Sequence, residues 1–589
     1  MTTTGVSPES RLGPLDVRPG FAQRAGRLPI LSSVVWITLV VMAILLIYPV
    51  IVLVGYVFFP DGSFDVSGIV STFRDPELVK VLLNTVAVVV VAVPISVLIG
   101  GVLAWFNERT DARMGWAADT LPIIPMLIPA LATAIGWVAL LAPTAGYLNA
   151  FARMISGGDP HGSGPLNIYG PIGMTAVLII VTVPLTYLTI SAALRNMDPA
   201  LEEASRMSGA GPVRTLMRVT LPSVRNSVAT SAVLALISVV SIFSIPVVLG
   251  SQGGFDVLAS LIYRQIDAQG GPRFNEMIVL GFFLLVVVQI AVVGEYLISR
   301  AGRHAKVGGK GRGRAINTLG PLRWVARLLT VLYLGMATVV PVLGLVLLSL
   351  QGFWTSAINW ATLSFRNYID VFGGTSQLGK SFVNSLVLGV VTATVLMLVA
   401  SVIVYLVATS SGVFGRIVNA LTALPAGIPH MVIGIAFLLA FGIGTLRLQG
   451  SLLLIFLAYL ILALPQASRM AGAAFNQVGR ELWEGSLMAG ASQFRTFTRI
   501  LFPLMRGGLL AGWVIVFVIS FSETSASIFL SSPTTSPVTG PTILNSFQSG
   551  GTFPQIAALS LGVTVVQTVV VLVVRLLGRD RARNVVLPN

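Results

Sequence analysis

Few side chains in this 589-residue chain are suited to covalent or metal chemistry. The chain has no cysteine, which excludes a disulfide framework, a thiolate zinc site and a cysteine nucleophile. Its histidines are only His161, His304 and His430, so a histidine-rich metal centre is also excluded. No acid–base pair or nucleophile set recurs near one end of the apolar segments, and the sequence therefore disfavours an enzyme.

Two titratable residues nevertheless fall inside long apolar segments. A carboxylate such as Glu523 is costly at membrane depth unless it faces a wet cavity or a partner, and a cationic or metal substrate would favour it there. A hydrogen bond to Ser520 or Thr524, or a position near the outer interface, explains it equally well. His430, which follows Pro429, either lines the same path or is a packing residue. Glu523 and His430 are thus the candidate residues of a substrate path.

A second set of residues recurs with the same spacing in both halves of the chain. In each copy a glutamate precedes a glycine by six residues, and that glycine precedes a proline by 13 residues. The members are Glu203, Gly209 and Pro222 in the first copy, and Glu484, Gly490 and Pro503 in the second.

The first copy predicts a helix, a sharp turn and a second short helix. Asp198 is a good N-cap, and Pro199 suits the first helical position. Gly209 allows a turn that a side chain would obstruct, and Pro222 is expected to end the second helix. The small residues Ala204 and Ser205 would let the first helix seat in a groove of another protein.

The elements around these residues are predicted to be membrane spans. Hydrophobic residues make up 55% of the chain and charged residues only 10%, too few for the surface of a soluble protein of this size. A bilayer crossing needs about 20 apolar residues. Segments near that length occur at 33–58, 79–106, 121–142, 172–193, 228–250, 277–298, 327–350, 381–409, 419–442, 451–466, 508–531 and 555–577. Pro465 is expected to cut the tenth span short.

The net charge of +15 is a topology signal rather than a sign of nucleic-acid binding. Arginine and lysine concentrate in the N-terminal tail, in the loops after spans four, six and ten, and in the C-terminal tail. All of these lie on one side of the membrane if the spans are right. The positive-inside rule then predicts a multi-pass membrane protein with both termini in the cytoplasm.

The chain is an internal repeat. Asn84 and Pro129 match Asn384 and Pro429 at an offset of 300, whereas the offset for the glycine and proline of the recurring pattern is 281. The first half therefore carries 19 additional residues, which we place in the outer loop 143–171. Each half has six spans, so the repeat is parallel. The predicted divisions are a tail at 1–29, a first half at 30–299, a flexible linker at 300–326, a second half at 327–578 and a tail at 579–589.

The recurring pattern resembles the EAA loop of inner-membrane permeases of binding-protein-dependent ABC importers. The first copy matches at Glu203, Ala204, Gly209, Leu221 and Pro222, with Ser205 in place of alanine. The second copy matches at Glu484, Gly490, Ile500 and Pro503, and departs from the pattern at Gly485 and Ser486, which replace the two alanines. The resemblance implies an all-α permease of type I fold, with 12 spans in two parallel six-helix repeats.

The resemblance also implies partners. Each EAA helix would dock in a cleft of a homodimeric ABC ATPase, and a periplasmic or lipid-anchored binding protein would deliver the substrate. The chain contains no Gly-x-x-x-x-Gly-Lys-Ser/Thr sequence, so ATP and magnesium are expected on the partner and no cofactor on this chain.

Fused permeases of this kind resemble the ferric-iron group most, with the thiamine, phosphonate and polyamine groups close by. The segment from Ser520 to Ser527 looks like the acidic segment of the iron-type permeases, although the matching stretch at 241–246 lacks the acid. A major-facilitator-type secondary transporter is the alternative class. It would repeat its signature after spans two and eight, and loop 107–120 has no such counterpart.

Overall fold

Long apolar segments cross a bilayer as helices because a helix satisfies its own backbone hydrogen bonds. The computed structural model describes residues 29–60, 62–114, 121–159, 162–267, 273–302, 316–373, 376–409, 413–444 and 446–585. His161 and His304 lie outside these ranges. Within them, regular structure is helical, apart from one isolated bridge between Thr110 and Asn317.

The helices of the first half follow one another along the chain. They are α1 (Pro29–Phe58), α2 (Ser67–Arg74), α3 (Pro76–Arg109), α4 (Ala130–Leu141), α5 (Tyr147–Ser156), α6 (Pro171–Asn196), α7 (Pro199–Met207), α8 (Pro212–Ser241), α9 (Leu258–Arg264) and α10 (Phe274–Gly302). A 3₁₀ turn at Leu121–Leu127 precedes α4.

The second half repeats this order at the offsets read from the sequence. Its helices are α11 (Leu322–Ser349), α12 (Arg366–Phe372), α13 (Gln377–Thr409), α14 (Val413–Ala423), α15 (His430–Gly442), α16 (Leu452–Asn476), α17 (Arg480–Met488), α18 (Gln493–Phe521), α19 (Ser527–Leu530), α20 (Thr539–Gln548) and α21 (Phe553–Val585). The additional residues of the first half form α5, which has no counterpart between α15 and α16.

Among the described residues, ten helices are long and apolar enough to cross a membrane. They account for ten of the 12 predicted spans. The third and ninth spans are broken instead of continuous. In the ninth, the helical segments Gly415–Gly427 and His430–Gly442 meet at 102°, with Pro429 capping the second. Pro129 and Pro429 lie at these breaks, each as the N-cap of the helix that follows.

Three predicted span ends are wrong. Pro465 does not cut the tenth span, because α16 runs through it to Asn476. Pro465 is buried within α16, and membrane helices tolerate an internal proline where nearby groups satisfy the freed carbonyl. The fifth and eleventh spans end earlier than predicted, at Ser241 and Phe521. Short helical segments at Pro246–Gly250 and Ser527–Leu530 lie within the remainder of the predicted spans.

The two halves exchange their first spans. Leu45 and Leu46 of α1 belong to one apolar cluster with Phe437 of α15. Conversely, Leu345 of α11 belongs to the cluster that contains Leu131 of α4. Each first span therefore packs on the broken span of the other half, and the halves form one body.

Part of the predicted linker is attached to the first half. The backbone N–H of Asn317 donates to the carbonyl of Arg109 at 2.8 Å, and the N–H of Leu319 donates to the carboxylate of Asp111 at 2.9 Å. Arg206 of α7 donates to the carbonyl of Ile316 at 2.6 Å. Residues 303–315, the centre of the predicted linker, lie outside the described ranges.

Candidate functional site

The first helix and the turn of the first copy of the recurring pattern fold as their residues predict. The carboxylate of Asp198 accepts a hydrogen bond from the N–H of Ala200 at 3.0 Å and caps α7, with Pro199 at its first position. Gly209 has φ +80°, a conformation that side chains rarely adopt. Its N–H donates to the carbonyl of Arg206 at 2.8 Å, which closes the turn.

The second copy has the same geometry despite its departures from the alanine pattern. Gly490 has φ +82°, and its N–H donates to the carbonyl of Leu487 at 3.0 Å. Gly485 lies within α17 with open space where a Cβ would stand. The helix therefore forms without the alanines, and α17 matches α7 residue for residue.

The two serines that replace alanine make the same contact. The hydroxyls of Ser205 and Thr215 lie 3.1 Å apart, and those of Ser486 and Thr496 lie 3.0 Å apart. Each pair joins the short helix to the start of the following span. Sequence comparison with the alanine pattern treats these serines as departures, whereas the structure gives them one shared role.

The glutamates of the pattern, Glu203 and Glu484, are exposed, as are Ala204 and Gly485. Exposed apolar residues that are not part of the motif lie near these glutamates. They form pairs, one residue in each half, separated by the same 281 positions. Their matched pairs are Leu201 with Leu482, Met207 with Met488, and Val213 with Phe494. We call the exposed residues of α7 and α17, together with these partners, the coupling faces. An exposed apolar patch of this kind marks an interaction surface.

The prolines do not end the second helices, contrary to expectation. Helices α8 and α18 continue through Pro222 and Pro503 by way of five-residue π turns at Leu216–Thr220 and Phe497–Leu501. A π turn widens the helix and changes its hydrogen-bond register, so the proline ring and its missing N–H are accommodated. Leu221 follows the first π turn, and Ile500 lies within the second. The coupling faces are therefore joined to membrane spans by continuous helices.

A buried ionic network holds α7 against the first half. Glu202 is fully buried, accepts a hydrogen bond from Thr220 and lies 3.5 Å from a guanidinium nitrogen of Arg109. Arg109 also donates to the carbonyls of Leu194 and Met197. The recurring spacing indicates the neighbouring Glu203 and gives no sign of this role of Glu202. Of these two glutamates, Glu202 is the one on the buried face of α7, which it shares with Pro199.

The asparagines that revealed the repeat also have equivalent partners. Asn84 donates to the carbonyl of Asp256, and Asn384 donates to that of Pro537, both at 2.9 Å. The hydroxyls of Thr85 and Ser385 accept from the N–H groups of Leu258 and Thr539 at 2.9 and 2.8 Å. These contacts fix the segment after each fifth span in the same way in both halves.

The two candidate path residues lie together. The carboxylate of Glu523 is buried and accepts hydrogen bonds from the N–H of Ala526 at 3.0 Å and the hydroxyl of Ser527 at 2.7 Å. His430 Nδ1 lies 3.5 Å from Glu523 Oε1, and its side chain is 44% exposed. The imidazole is thus the accessible member of the pair. The predicted bonds to Ser520 or Thr524 are not the ones that the carboxylate makes.

The geometry of both halves agrees with the family comparison. The model for the binding-protein-dependent transport system inner membrane component matches residues 66–301 and 405–583, which together exceed half of the chain. The chain belongs to this family. The predicted all-α permease fold of two parallel repeats is confirmed, as is a multi-pass protein of the inner membrane.

Similar proteins include two permeases named for ferric iron. The ferric transport system permease protein FbpB of Actinobacillus pleuropneumoniae is 25% identical over 553 residues, which cover 91% of this chain and 77% of that protein. The Fe(3+)-transport system permease protein FbpB 2 of Haemophilus influenzae is 22% identical over 504 residues, 84% of this chain and 90% of that protein. Among solved structures, a bacterial alginate ABC transporter matches 47% of this chain and 96% of its own, with 21% identity and a TM-score of 0.38.

Proposed function

We propose that this permease imports ferric iron, powered by a separate homodimeric ABC ATPase and supplied by an extracytoplasmic binding protein. The observation that carries the ATPase partnership is the matched pair of coupling faces. A twofold-symmetric ATPase offers two equivalent clefts, and this single chain offers two equivalent helices with equal turns and equal exposed residues. Both termini and both coupling faces would then lie in the cytoplasm.

The proposed coupling runs through continuous structure. When the ATPase closes, its clefts would move α7 and α17, and these helices are bonded to the first turns of α8 and α18 by the serine–threonine pairs. Because α8 and α18 are membrane spans, displacement of the coupling faces would tilt them and shift the halves between inward-facing and outward-facing states.

The iron assignment is supported by relatives that carry this name over most of the chain. His430 and Glu523 are the proposed residues of the path. The first half has Ala130 and Ile242 at the matching positions, so the pair occurs in the second half alone. In this proposal His430 faces the passing substrate, and Glu523 orients the imidazole from its buried position. Thiamine, phosphonate and polyamines remain the alternative substrates.

The substrate assignment is tested by uptake. The full chain would be reconstituted in proteoliposomes with the ATPase and binding protein of its source organism, and the uptake of radiolabelled ferric iron, thiamine, a phosphonate and a polyamine would be compared. ATP-dependent accumulation of ferric iron alone is the expected result. Accumulation of one of the other compounds in its place would replace the iron assignment and leave the ATPase partnership intact.

The energy source is tested in the same vesicles. A chain reconstituted alone should accumulate nothing under a proton or sodium gradient, since the coupling faces are then unoccupied. Full uptake under an ion gradient without the ATPase would instead assign the chain to a secondary-transport mechanism.

A further inference from the structure

The second half contains a cavity beside its coupling face. It has a volume of about 800 Å³ and lies between α13, α14, α16 and α17, next to the second coupling face. All of its lining residues belong to the second half, so it is separate from the contact between the halves and from the His430–Glu523 pair.

Three residues that line the cavity are smaller than their counterparts at the matching positions of the first half. In the first half, Glu108 accepts hydrogen bonds from Ser191 at 2.8 Å and from Arg195 at 2.9 Å, and Asn107 donates to Tyr187. The second half has Ala408 for Glu108, Ser468 for Tyr187 and Gly472 for Ser191, and these three replacements line the cavity.

The charges around these matching positions also differ in sign between the two halves. The buried acids Glu108 and Glu202 are replaced by Ala408 and Trp483, while Arg469 and Arg480 replace Leu188 and Pro199. Both arginines line the cavity, and within the described ranges neither forms an ion pair with an acidic residue. Glu481, although adjacent in sequence to Arg480, is not a lining residue.

Two buried polar atoms in the cavity wall also lack partners in the part of the chain that the structure describes. They are the hydroxyl of Ser468 and the indole N–H of Trp483. Buried donors are normally satisfied by protein, water or ligand. The exposed guanidinium groups of Arg469 and Arg480 lie at the same cavity and suit the fork geometry of phosphate oxygens.

We propose that this cavity binds a phosphate-bearing anion between Arg469 and Arg480. The bound anion occupies the place that Glu108 and Glu202 fill in the first half, and it joins α16 to the start of α17. Its source is either the headgroup of an anionic lipid or a free phosphate compound, since both present the same oxygens. Helix α17 would then be attached firmly to α16 only when the anion is bound.

The experiment measures protection of the arginines from phenylglyoxal, which modifies accessible guanidinium groups, by peptide mass spectrometry of the full chain. One arm uses detergent-solubilised protein with inorganic phosphate. The other compares nanodiscs of phosphatidylcholine with and without phosphatidylglycerol. At a ligand concentration about ten times its Kd, modification of Arg469 and Arg480 should slow about tenfold, because only the unoccupied fraction reacts. Protection by phosphate identifies a soluble ligand, and protection by phosphatidylglycerol alone identifies a lipid; both outcomes support the site.

Two controls separate the cavity from surface screening. Arg495 and Arg499 are exposed on the same end of the second half and do not line the cavity, so their modification should not change. Gly472→Leu places a side chain in the cavity where a Cβ meets open space, and it should abolish the protection. Gly507→Leu, also in open space but outside the cavity, should preserve it.

Equal modification rates with and without both ligands would overturn the proposal. It would also be overturned by protection that extends equally to Arg495 and Arg499, or that persists in Gly472→Leu. The assay reads binding alone, so its failure leaves the proposed transport function untouched.

Discussion

Adjacent glutamates in α7 have opposite environments. Glu202 is fully buried beside Arg109, whereas Glu203 is exposed on the coupling face. Helical geometry separates neighbouring residues by about 100°, so a shift of one position moves a side chain from the interior to the surface. One glutamate therefore serves the stability of the fold, and the other is available to a partner.

Substitution of the two glutamates should separate these roles. Glu202→Ala leaves Arg109 buried without its carboxylate and should lower the free energy of unfolding by about 3 kcal/mol. Glu203→Ala should leave thermal unfolding of the purified protein unchanged but weaken co-purification of the ATPase, and Glu203→Arg should abolish it. If Glu203→Ala destabilised the protein as much as Glu202→Ala, the division of roles would be wrong.

The turn glycines should be intolerant of any side chain because of their backbone conformation. Gly209 and Gly490 have φ near +80° with open space around the Cβ position, so the cost of alanine is conformational and about 1–2 kcal/mol. Gly209→Ala and Gly490→Ala should each reduce ATPase association in a pull-down. Gly211→Ala is the matched control, since Gly211 has φ −72° and equally open space. An equal loss in Gly211→Ala would point to crowding instead of backbone strain.

At the scale of elements, each coupling helix is attached to the next span by one serine–threonine contact and one glycine turn. The first helix has the buried Glu202 network in addition, whereas the second has Trp483 beside a cavity. The two elements therefore have the same shape but different attachments. Because of this difference, we expect α17 to unfold locally more readily than α7.

Hydrogen exchange should detect that difference. Amides of α17 should exchange faster than those of α7, and Ser486→Ala should accelerate α17 further, by about fivefold for a lost hydrogen bond of about 1 kcal/mol. Ser208→Ala is the control, because its hydroxyl contacts only the carbonyl of Ala204 within its own helix end. Equal exchange of α7 and α17 in the unmodified protein would show that Glu202 adds no local stability.

At the scale of the whole molecule, the first span of each half packs on the broken span of the other half. In one of these two crossings, α11 on α4, the helix backbones approach very closely. A Cβ on Gly344 would stand 2.5 Å from the carbonyl oxygen of Gly136, and one on Gly136 would stand 2.3 Å from that of Pro341. Small residues allow such backbone contact within a membrane. The equivalent crossing of α1 on α15 has Ala436 at the position that matches Gly136, so the two crossings differ.

Gly344→Leu should therefore disrupt the assembly of the halves. The added side chain would force α11 away from α4, with a loss of about 3 kcal/mol in unfolding free energy and a lower yield of monodisperse protein. Gly335→Leu, in the same helix with open space around it, should fold normally. Thermal unfolding in detergent with size-exclusion chromatography measures both variants, and normal behaviour of Gly344→Leu would show that this crossing is loose.

The sequence by itself determined the features that depend on local spacing. Long apolar segments identified most of the spans, and the offsets of Asn84 and Gly209 identified the repeat and the position of its insertion. Asp198 and Gly209 determined a cap and a turn, because both depend on the backbone within a few residues.

The tertiary structure decided whatever depends on a neighbour distant in the chain. Pro222 continues a helix and Pro465 stays within one, because widened turns or surrounding helices compensate for the missing donor. The recurring spacing indicates Glu203, whereas the buried ion pair belongs to Glu202. That burial depends on Arg109, which belongs to another helix. The cavity is lined in part by Ala408, Ser468 and Gly472, which are unremarkable residues individually and adjoin only after the helices pack. Spacing along a chain carries no record of such contacts, and packing alone creates them.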